Sequence, residues 1–195
     1  MSQFIEYPRE PLRLLVDTPE AFDACLDSLS SGSGPVAFDA ERAHGHRYWP
    51  KAYLFQMRRE GSGTWLVDPI ALEQDGDTNL GRLVDACAEA PWIIHAASQD
   101  LPCMVDVGIR PPVLFDTELA GRLLGAPAVG LAALLDAKLG IRLRKAHSAD
   151  NWAIRPLPMS WLIYAALDVD YLIELADVLH AELVARNRIA WAEEE

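Results

Sequence analysis

The segment PVAFDAER (35–42) decides the fold, because it joins a short apolar run to two carboxylates. Residues 35–39 are typical of a buried strand. Asp39 and Glu41 are two residues apart, so on a strand they share one face. The opposite face is apolar and can pack: Val36, Phe38 and Ala40. Ligands of α/β sheets usually bind at the carboxyl ends of the strands, so the segment predicts two carboxylates projecting into such a crevice.

The remaining sequence patterns predict further strands and helices around this one. A short strand begins LRLLVDTPEAFDACLDSLS (12–30), and Asp17 or Thr18 then caps a helix. Other strands are predicted at 52–59, 64–69, 92–95 and 113–116, with a hairpin turn at EGSG (60–63). Helices are predicted at 79–89, from about 98, and at 117–125, 129–139, 159–167 and 168–187. This order predicts an α/β fold with a mixed sheet of about five strands, flanking helices and a helical C-terminal half.

Length and composition indicate a single globular domain in the cytoplasm. The chain has 195 residues, of which 51% are hydrophobic. No apolar stretch approaches the roughly 20 residues of a transmembrane helix, and the N-terminus lacks the features of a secretory signal. The three cysteines are widely spaced and form no CxxC pair, which favours reduced, packed thiols and disfavours a zinc site.

The net charge of −12 argues against a nucleic-acid partner until the distribution of the basic residues is considered. Two basic clusters flank the acidic segments and could form a track for phosphates: Arg42, Arg47, Lys51, Arg58 and Arg59, and then Arg142, Arg144, Lys145 and Arg155. Each of these side chains taken alone is better explained as an ordinary surface charge.

Three further polar residues lie where apolar ones would be expected. Asp100 follows the apolar run that ends at His95, and Asp168 interrupts a helix rich in Ala and Leu. Tyr164 precedes Asp168 by four positions, which places both on one helical face. Carboxylates that converge in a cleft repel one another, and a divalent cation is the usual remedy. The sequence therefore predicts a metal-dependent site.

These residues occur in an ordered set that resembles the DEDDy 3′–5′ exonucleases of the DnaQ/ribonuclease H-like superfamily, and ribonuclease D in particular. The three acidic motifs of that family are matched by FDAE (38–41), IIHAASQD (93–100) and YAALDVDYL (164–172). Two other stretches, LFDTELAGRLLG (114–125) and LRKAHSADNWAIRPLP (143–158), are also similar to ribonuclease D. Asn151 departs from the family, which usually has Asp before the Trp of the last stretch.

The resemblance implies a ribonuclease H-like fold, an exonuclease domain at 1–187 and an acidic tail at 188–195 that could lead to HRDC domains. It implies hydrolysis of RNA with a free 3′ end, such as a tRNA precursor, to nucleoside monophosphates. Two ions, Mg²⁺ or Mn²⁺, would be held by four carboxylates, and Tyr164 would orient the attacking water. The expected ligands are Asp39, Glu41, Asp100 and Asp168. Lys145, Arg155 and His95 are the candidate substrate contacts.

Two other functions remain open at this point. A proofreading-type DNA exonuclease would use the same acidic residues, and an inactive nucleic-acid-binding module could keep the fold. A second D-x-E occurs at Asp116–Glu118, but it begins a helix, so Asp116 is expected to cap that helix. Trp152 and Trp161 are expected in the core, and Asp170 is expected to be solvated.

Overall fold

A computed structural model describes residues 2–42, 51–74, 78–143 and 150–193. Its strands are β1 (Gln3–Ile5), β2 (Ser33–Arg42), β3 (Ala52–Glu60), β4 (Gly63–Val67), β5 (Trp92–Ile94), β6 (Leu114–Asp116) and β7 (Ile141–Leu143). Its α-helices are α1 (Pro19–Ser31), α2 (Pro69–Gln74), α3 (Arg82–Ala86), α4 (Leu101–Asp106), α5 (Thr117–Leu123), α6 (Leu131–Leu139), α7 (Met159–Asp170), α8 (Leu172–Ala185) and α9 (Ile189–Glu193). Within these ranges, no helix has the length and apolar character needed to cross a bilayer.

The main sheet has five strands in the order β4-β3-β2-β5-β6. The strands β2, β3 and β4 are antiparallel neighbours, whereas β5 pairs with β2, and β6 with β5, in parallel. The mixed five-stranded sheet predicted from the sequence is therefore confirmed. Gly61 and Gly63 have φ of 78° and 77°, so the turn between β3 and β4 uses the left-handed conformation that glycine tolerates.

Helices cover both faces of this sheet, and successive residues of β2 pack alternately against the helices of one face and of the other. Val36 and Phe38 pack with α1, α3 and α4 on one face, in a cluster that also contains Trp92. On the other face, Ala37 and Ile93 pack against α5, α6 and α8. A third cluster joins β3 and β4 to α7 and contains the fully buried Trp152. The opposite faces predicted for β2 are therefore confirmed, and so is the core position of Trp152.

Several predicted boundaries are wrong at the edges of the domain. Residues 12–16 form no strand beyond a single bridge between Val16 and Val67, where Val16 N donates to Leu66 O and Val16 O accepts from Asp68 N. The strands β1 and β7 were not predicted, and they pair in parallel as a separate two-stranded sheet. Thr18 is the residue that caps α1, since its Oγ1 accepts from Ala21 N at 3.2 Å.

Two further differences concern the C-terminal half. The helix around the third acidic motif runs to Asp170, so the predicted break at 167–168 lies three residues too early. Residues of the predicted tail form α9, whose Ile189 and Ala192 pack against the cluster that contains α8. Asp170 is not solvated. It is fully buried and accepts from Arg9 N and Nε at 2.9 and 3.1 Å, so the N-terminal segment lies across the end of α7.

Candidate active site

Three carboxylates from two distant segments converge at the carboxyl end of β2. Asp39 and Glu41 extend from the same face of that strand, and Asp168 lies on α7, which contacts β2, β3 and β4. One oxygen of each lies within 4.8 Å of the others. The approach depends on α7 having small buried residues, Ala165 and Ala166, where it packs against the sheet.

Asp100 reaches the same place because β5 lies directly beside β2. A short 3₁₀ helix (Ala97–Gln99) follows β5, and Asp100 begins α4 with a side chain that is 3% exposed. The turn into this segment is unusual, since Ala96 has a φ of 59° in the left-handed region. Such a conformation is costly for a residue with a Cβ and needs support from its surroundings.

That support comes from Asp116, the acid of the second D-x-E pair. Its carboxylate accepts from Ala96 N at 3.0 Å and Ala97 N at 2.9 Å. It also accepts from Glu118 N at 2.8 Å and Leu119 N at 3.3 Å, which caps α5. The predicted capping role is confirmed, and one side chain joins the start of α5 to the turn that carries Asp100.

A cleft of about 300 Å³ opens onto the acidic residues. Tyr164 lines it one helical turn before Asp168, as the four-residue spacing predicted, and His95 lines it from the end of β5. His95 Nδ1 lies 2.9 Å from Thr117 Oγ1, so its ring is held against α5. The remaining lining is Asp39, Arg42, Ala96, Gln99, Asp100, Leu131, Asp168 and Leu172.

The carboxylates hold their protons more tightly than isolated acids do. Burial raises the pKa of Asp39 to about 6. Burial and the neighbouring Asp39 raise the pKa of Asp100 to about 8. Burial and then the charges of Asp39, Asp168 and Asp100 raise the pKa of Glu41 to about 10. The pKa of Asp168 also lies well above its ordinary value, because of burial and Asp39. Without a compensating cation, the cluster resists full ionisation.

The site fits a hard divalent cation. Glu41 Oε1 is buried and has no hydrogen-bond donor within the described part of the chain. Its oxygen, together with the nearby oxygens of Asp39 and Asp168, offers the all-oxygen donor set that Mg²⁺ and Mn²⁺ prefer. A bound cation would also relieve the repulsion that raises the pKa values of these groups.

Burial also raises the pKa of the Tyr164 phenol, and the charges of Asp168, Glu41 and Asp39 add to the effect. The phenol therefore stays protonated at neutral pH, so it can position a water but cannot act as a base. The pKa of His95 is lowered, chiefly by burial, which favours a neutral imidazole.

Two polar residues beside the predicted carboxylates have no assignment to the acidic site from the sequence. Arg42, which was placed only in a basic cluster, directs its guanidinium to Asp100 and Gln99. Gln56 is fully buried and lies opposite Asp39 in the β2–β3 register, and its side-chain N and O have no partner among the described residues. Neither position has a signal in a single sequence, because both depend on which strand or turn lies alongside.

Apart from Arg42, the described basic residues of the two predicted clusters are engaged in contacts elsewhere in the domain and do not form the predicted phosphate track. Arg59 is buried and donates to Gly34 O and Leu29 O. Arg58 is buried as well, and it donates to Glu10 at 2.9 Å. Lys51 and Arg142 pair with surface acids, Glu73 and Asp136 respectively. Arg47, Arg144 and Lys145 lie outside the described residues.

Arg155 is a structural residue, which corrects its prediction as a phosphate contact. Its Nε and Nη2 donate to the two oxygens of Asp68 at 2.6 and 2.8 Å. Its remaining donors bind the backbone oxygens of Tyr53, Trp152 and Ile154 at 2.7 to 2.8 Å. All five N–H groups of the guanidinium are thus used in holding the 150–155 segment against β3 and α2.

Comparison with known proteins agrees with the geometry. Residues 14–184 match the family model of the 3′–5′ exonuclease domain. The chain belongs to this 3′–5′ exonuclease family. It is 34% identical over 162 residues to ribonuclease D of Sphingobium indicum, a match that covers 82% of this chain and 41% of that protein.

Two solved structures superpose closely on this chain. A protein from Bifidobacterium adolescentis superposes with a TM-score of 0.96 and 43% identity, covering all of this chain and 46% of the other. Escherichia coli RNase D superposes with a TM-score of 0.83 and 26% identity, covering 94% of this chain and 48% of the other. The ribonuclease D resemblance and the predicted fold class are confirmed. The chain spans less than half the length of these relatives.

Proposed function

We propose that this 3′–5′ exonuclease domain hydrolyses RNA from a free 3′ end and releases nucleoside monophosphates. The observation that carries the proposal is that one carboxylate oxygen each of Asp39, Glu41 and Asp168 lies within 4.8 Å of the others. Asp39 and Asp168 also line the cleft. A cleft of about 300 Å³ suits a terminal nucleotide better than a continuous duplex.

Each residue has a role that follows from its position. Asp39, Glu41 and Asp168 would hold one divalent ion, and Asp100 would help Asp39 to hold a second, with Mg²⁺ or Mn²⁺ as the ions. Bound there, the ions would activate a water and offset the charge of the phosphodiester. Tyr164 orients that water through its protonated hydroxyl group. His95 remains a candidate contact for the terminal nucleotide, since it lines the cleft as a neutral ring.

RNA is favoured over DNA by the relatives. The Sphingobium protein is named ribonuclease D, and the Escherichia coli protein is described as an exoribonuclease involved in structured RNA processing. A DNA exonuclease would use the same carboxylates, so the choice of sugar has to be tested directly through the ribose 2′-OH.

The test uses a 5′-labelled single-stranded RNA of about 20 nucleotides and protein freed of metal with EDTA. We expect a ladder that shortens from the 3′ end only when Mg²⁺ or Mn²⁺ is restored, and nucleoside 5′-monophosphates as products. The same RNA with a 3′-phosphate should be cut much more slowly, because the enzyme would start at a free hydroxyl. A DNA oligomer of identical sequence is compared at equal concentration.

The outcomes separate the three functions. Faster cleavage of DNA than of RNA would favour the proofreading type. Binding without cleavage under any metal condition would favour the inactive module. Cleavage that is equally fast with Asp39→Asn would show that a contaminating nuclease is responsible and would leave the proposal without support.

A further inference from the structure

The guanidinium of Arg42 lines the cleft and lies beside one of the four carboxylates, Asp100. Arg42 is the last residue of β2 and follows Glu41 directly, yet its side chain is only 12% exposed. Its Nη2 lies 3.2 Å from Asp100 Oδ1. Within the described residues, Arg42 is the cation that lines this cleft.

The guanidinium is held at this place by the backbone after β5. Arg42 Nη1 donates to the carbonyl oxygen of Gln99, and Nη2 lies 3.3 Å from Gln99 Oε1. Its Nε is buried and has no partner in the ranges that the structure describes. A guanidinium with an unused buried donor is not arranged for maximal stability, which indicates that its position serves the site.

The pairing with Arg42 distinguishes Asp100 from the other three carboxylates. Asp39, Glu41 and Asp168 approach one another closely enough to share an ion. Asp100 is not part of this three-residue group, although its carboxyl group contacts that of Asp39. Its Oδ1 faces the charge of Arg42 without making a hydrogen bond of good geometry. An ion that used Asp100 Oδ1 as a ligand would compete with Arg42 for that oxygen, and an ion at the other oxygen would still be repelled by the nearby guanidinium.

We propose that Arg42 occupies the Asp100 side of the site in the metal-free enzyme, so that the two divalent ions bind in order, with the second displacing the guanidinium from Asp100. The proposal rests on the proposed function in taking the carboxylate cluster as a cation site. Arg42 is a positioning residue here, since Gln99 would keep the displaced guanidinium at the rim of the cleft.

The experiment is a titration of the full chain with Mn²⁺ in the absence of RNA. Binding is measured by calorimetry and by electron spin resonance, which distinguishes free from bound Mn²⁺. For the unmodified chain we expect two dissociation constants, the second weaker than the first. In Arg42→Met, the second dissociation constant should fall on the order of tenfold, which corresponds to about 1.4 kcal/mol of binding free energy. The first dissociation constant should change much less. Spin coupling between neighbouring Mn²⁺ ions should appear at lower concentration.

Three controls keep the result interpretable. Arg82→Met removes the same charge from an exposed pair with Asp23 and should leave both constants unchanged. Arg42→Lys keeps the charge and should hold the second constant closer to that of the unmodified chain. Circular dichroism with unchanged Tm confirms that each variant is folded.

The inference is overturned if both constants tighten equally in Arg42→Met, because that is a general charge effect. It is also overturned if neither constant changes while RNA binding in Ca²⁺ weakens, since Arg42 would then contact phosphate. If the unmodified chain cleaves RNA and binds two ions, but Arg42→Met has the same two dissociation constants, only this inference fails. If the unmodified chain binds no Mn²⁺, the proposed function fails as well.

Discussion

Asp39→Asn should abolish RNA cleavage and at the same time stabilise the metal-free protein. The two effects share one cause, which is that the carboxyl group of Asp39 lies buried among other acids, where its charge is costly unless a cation is bound. A rise in its pKa from 3.8 to about 6 corresponds to about 3 kcal/mol, because one pKa unit is about 1.4 kcal/mol. Asp39 is partly exposed, so solvent screens some of this, and we expect a gain of about 1–2 kcal/mol.

The pH dependence of this gain has a definite sign. The folded pKa of Asp39 lies above its ordinary value, so the folded state binds the proton more tightly and the stability of the metal-free protein falls as pH rises between 3.8 and about 6. Asparagine cannot ionise, and the variant lacks this loss. Its advantage should therefore be small near pH 4, partial at pH 5 and complete above about pH 6.

The assay is urea or thermal unfolding in EDTA at pH 5 and pH 8, repeated with saturating Mn²⁺. At pH 8 in EDTA, the Tm of the variant should exceed that of the unmodified chain by roughly 2–8 °C. Mn²⁺ at 100 times its dissociation constant should stabilise the unmodified chain by about 2.7 kcal/mol and the variant by much less, which reverses the order. Asp27→Asn, an exposed acid on α1, is the matched control. A variant that is less stable than the unmodified chain in EDTA at pH 8 would refute the reasoning.

Three other measurements test separate parts of the site and its scaffold. Tyr164→Phe should lower kcat on the order of tenfold or more and leave RNA affinity nearly unchanged in Ca²⁺, because the phenol acts on the attacking water; equal loss of affinity would make it a substrate contact. Arg155→Ala should cost about 3–5 kcal/mol in urea unfolding because it strands a buried carboxylate, whereas Arg122→Ala, from an exposed helical pair, should cost under about 0.5 kcal/mol; a weaker salt dependence of RNA binding with normal stability would contradict the structural role. Mn²⁺ affinity should rise with pH, since Asp100 and Glu41, with pKa values of about 8 and 10, must release protons to bind it, and calorimetry in two buffers of different ionisation enthalpy counts those protons.

The parts of the molecule that could be predicted from the sequence are those with a local pattern. The alternation of β2 fixes which of its residues face the core, and the four-residue spacing of Tyr164 and Asp168 places both on one side of α7. The hairpin between β3 and β4 is visible in its glycines. In each case the signal and the structural consequence lie within a few residues of each other.

What could not be predicted depends on partners far along the chain. Strand β1 has three residues and pairs with β7, so Gln3 lies opposite Ile141, and so short a pairing leaves no periodicity. An aspartate such as Asp170 is expected at the surface, and its burial could not be predicted because its partner Arg9 lies 161 positions away. The structural role of Arg155 could not be predicted for the same reason, since its partner Asp68 follows β4 and lies 87 positions away.

Because Asp116 accepts four hydrogen bonds, its replacement in a mutational screen would be difficult to distinguish from replacement of a residue of the active site. A screen that records only loss of activity would group Asp116 with the proposed metal ligands, because loss of its carboxylate would release the turn at Ala96 and displace Asp100. A search of the sequence for the D-x-E motif would also assign Asp116 to the metal site, because Asp116 and Glu118 match that motif. Measuring both folding stability and turnover would distinguish Asp116, which holds the turn at Ala96, from the carboxylates that are proposed to bind the ions.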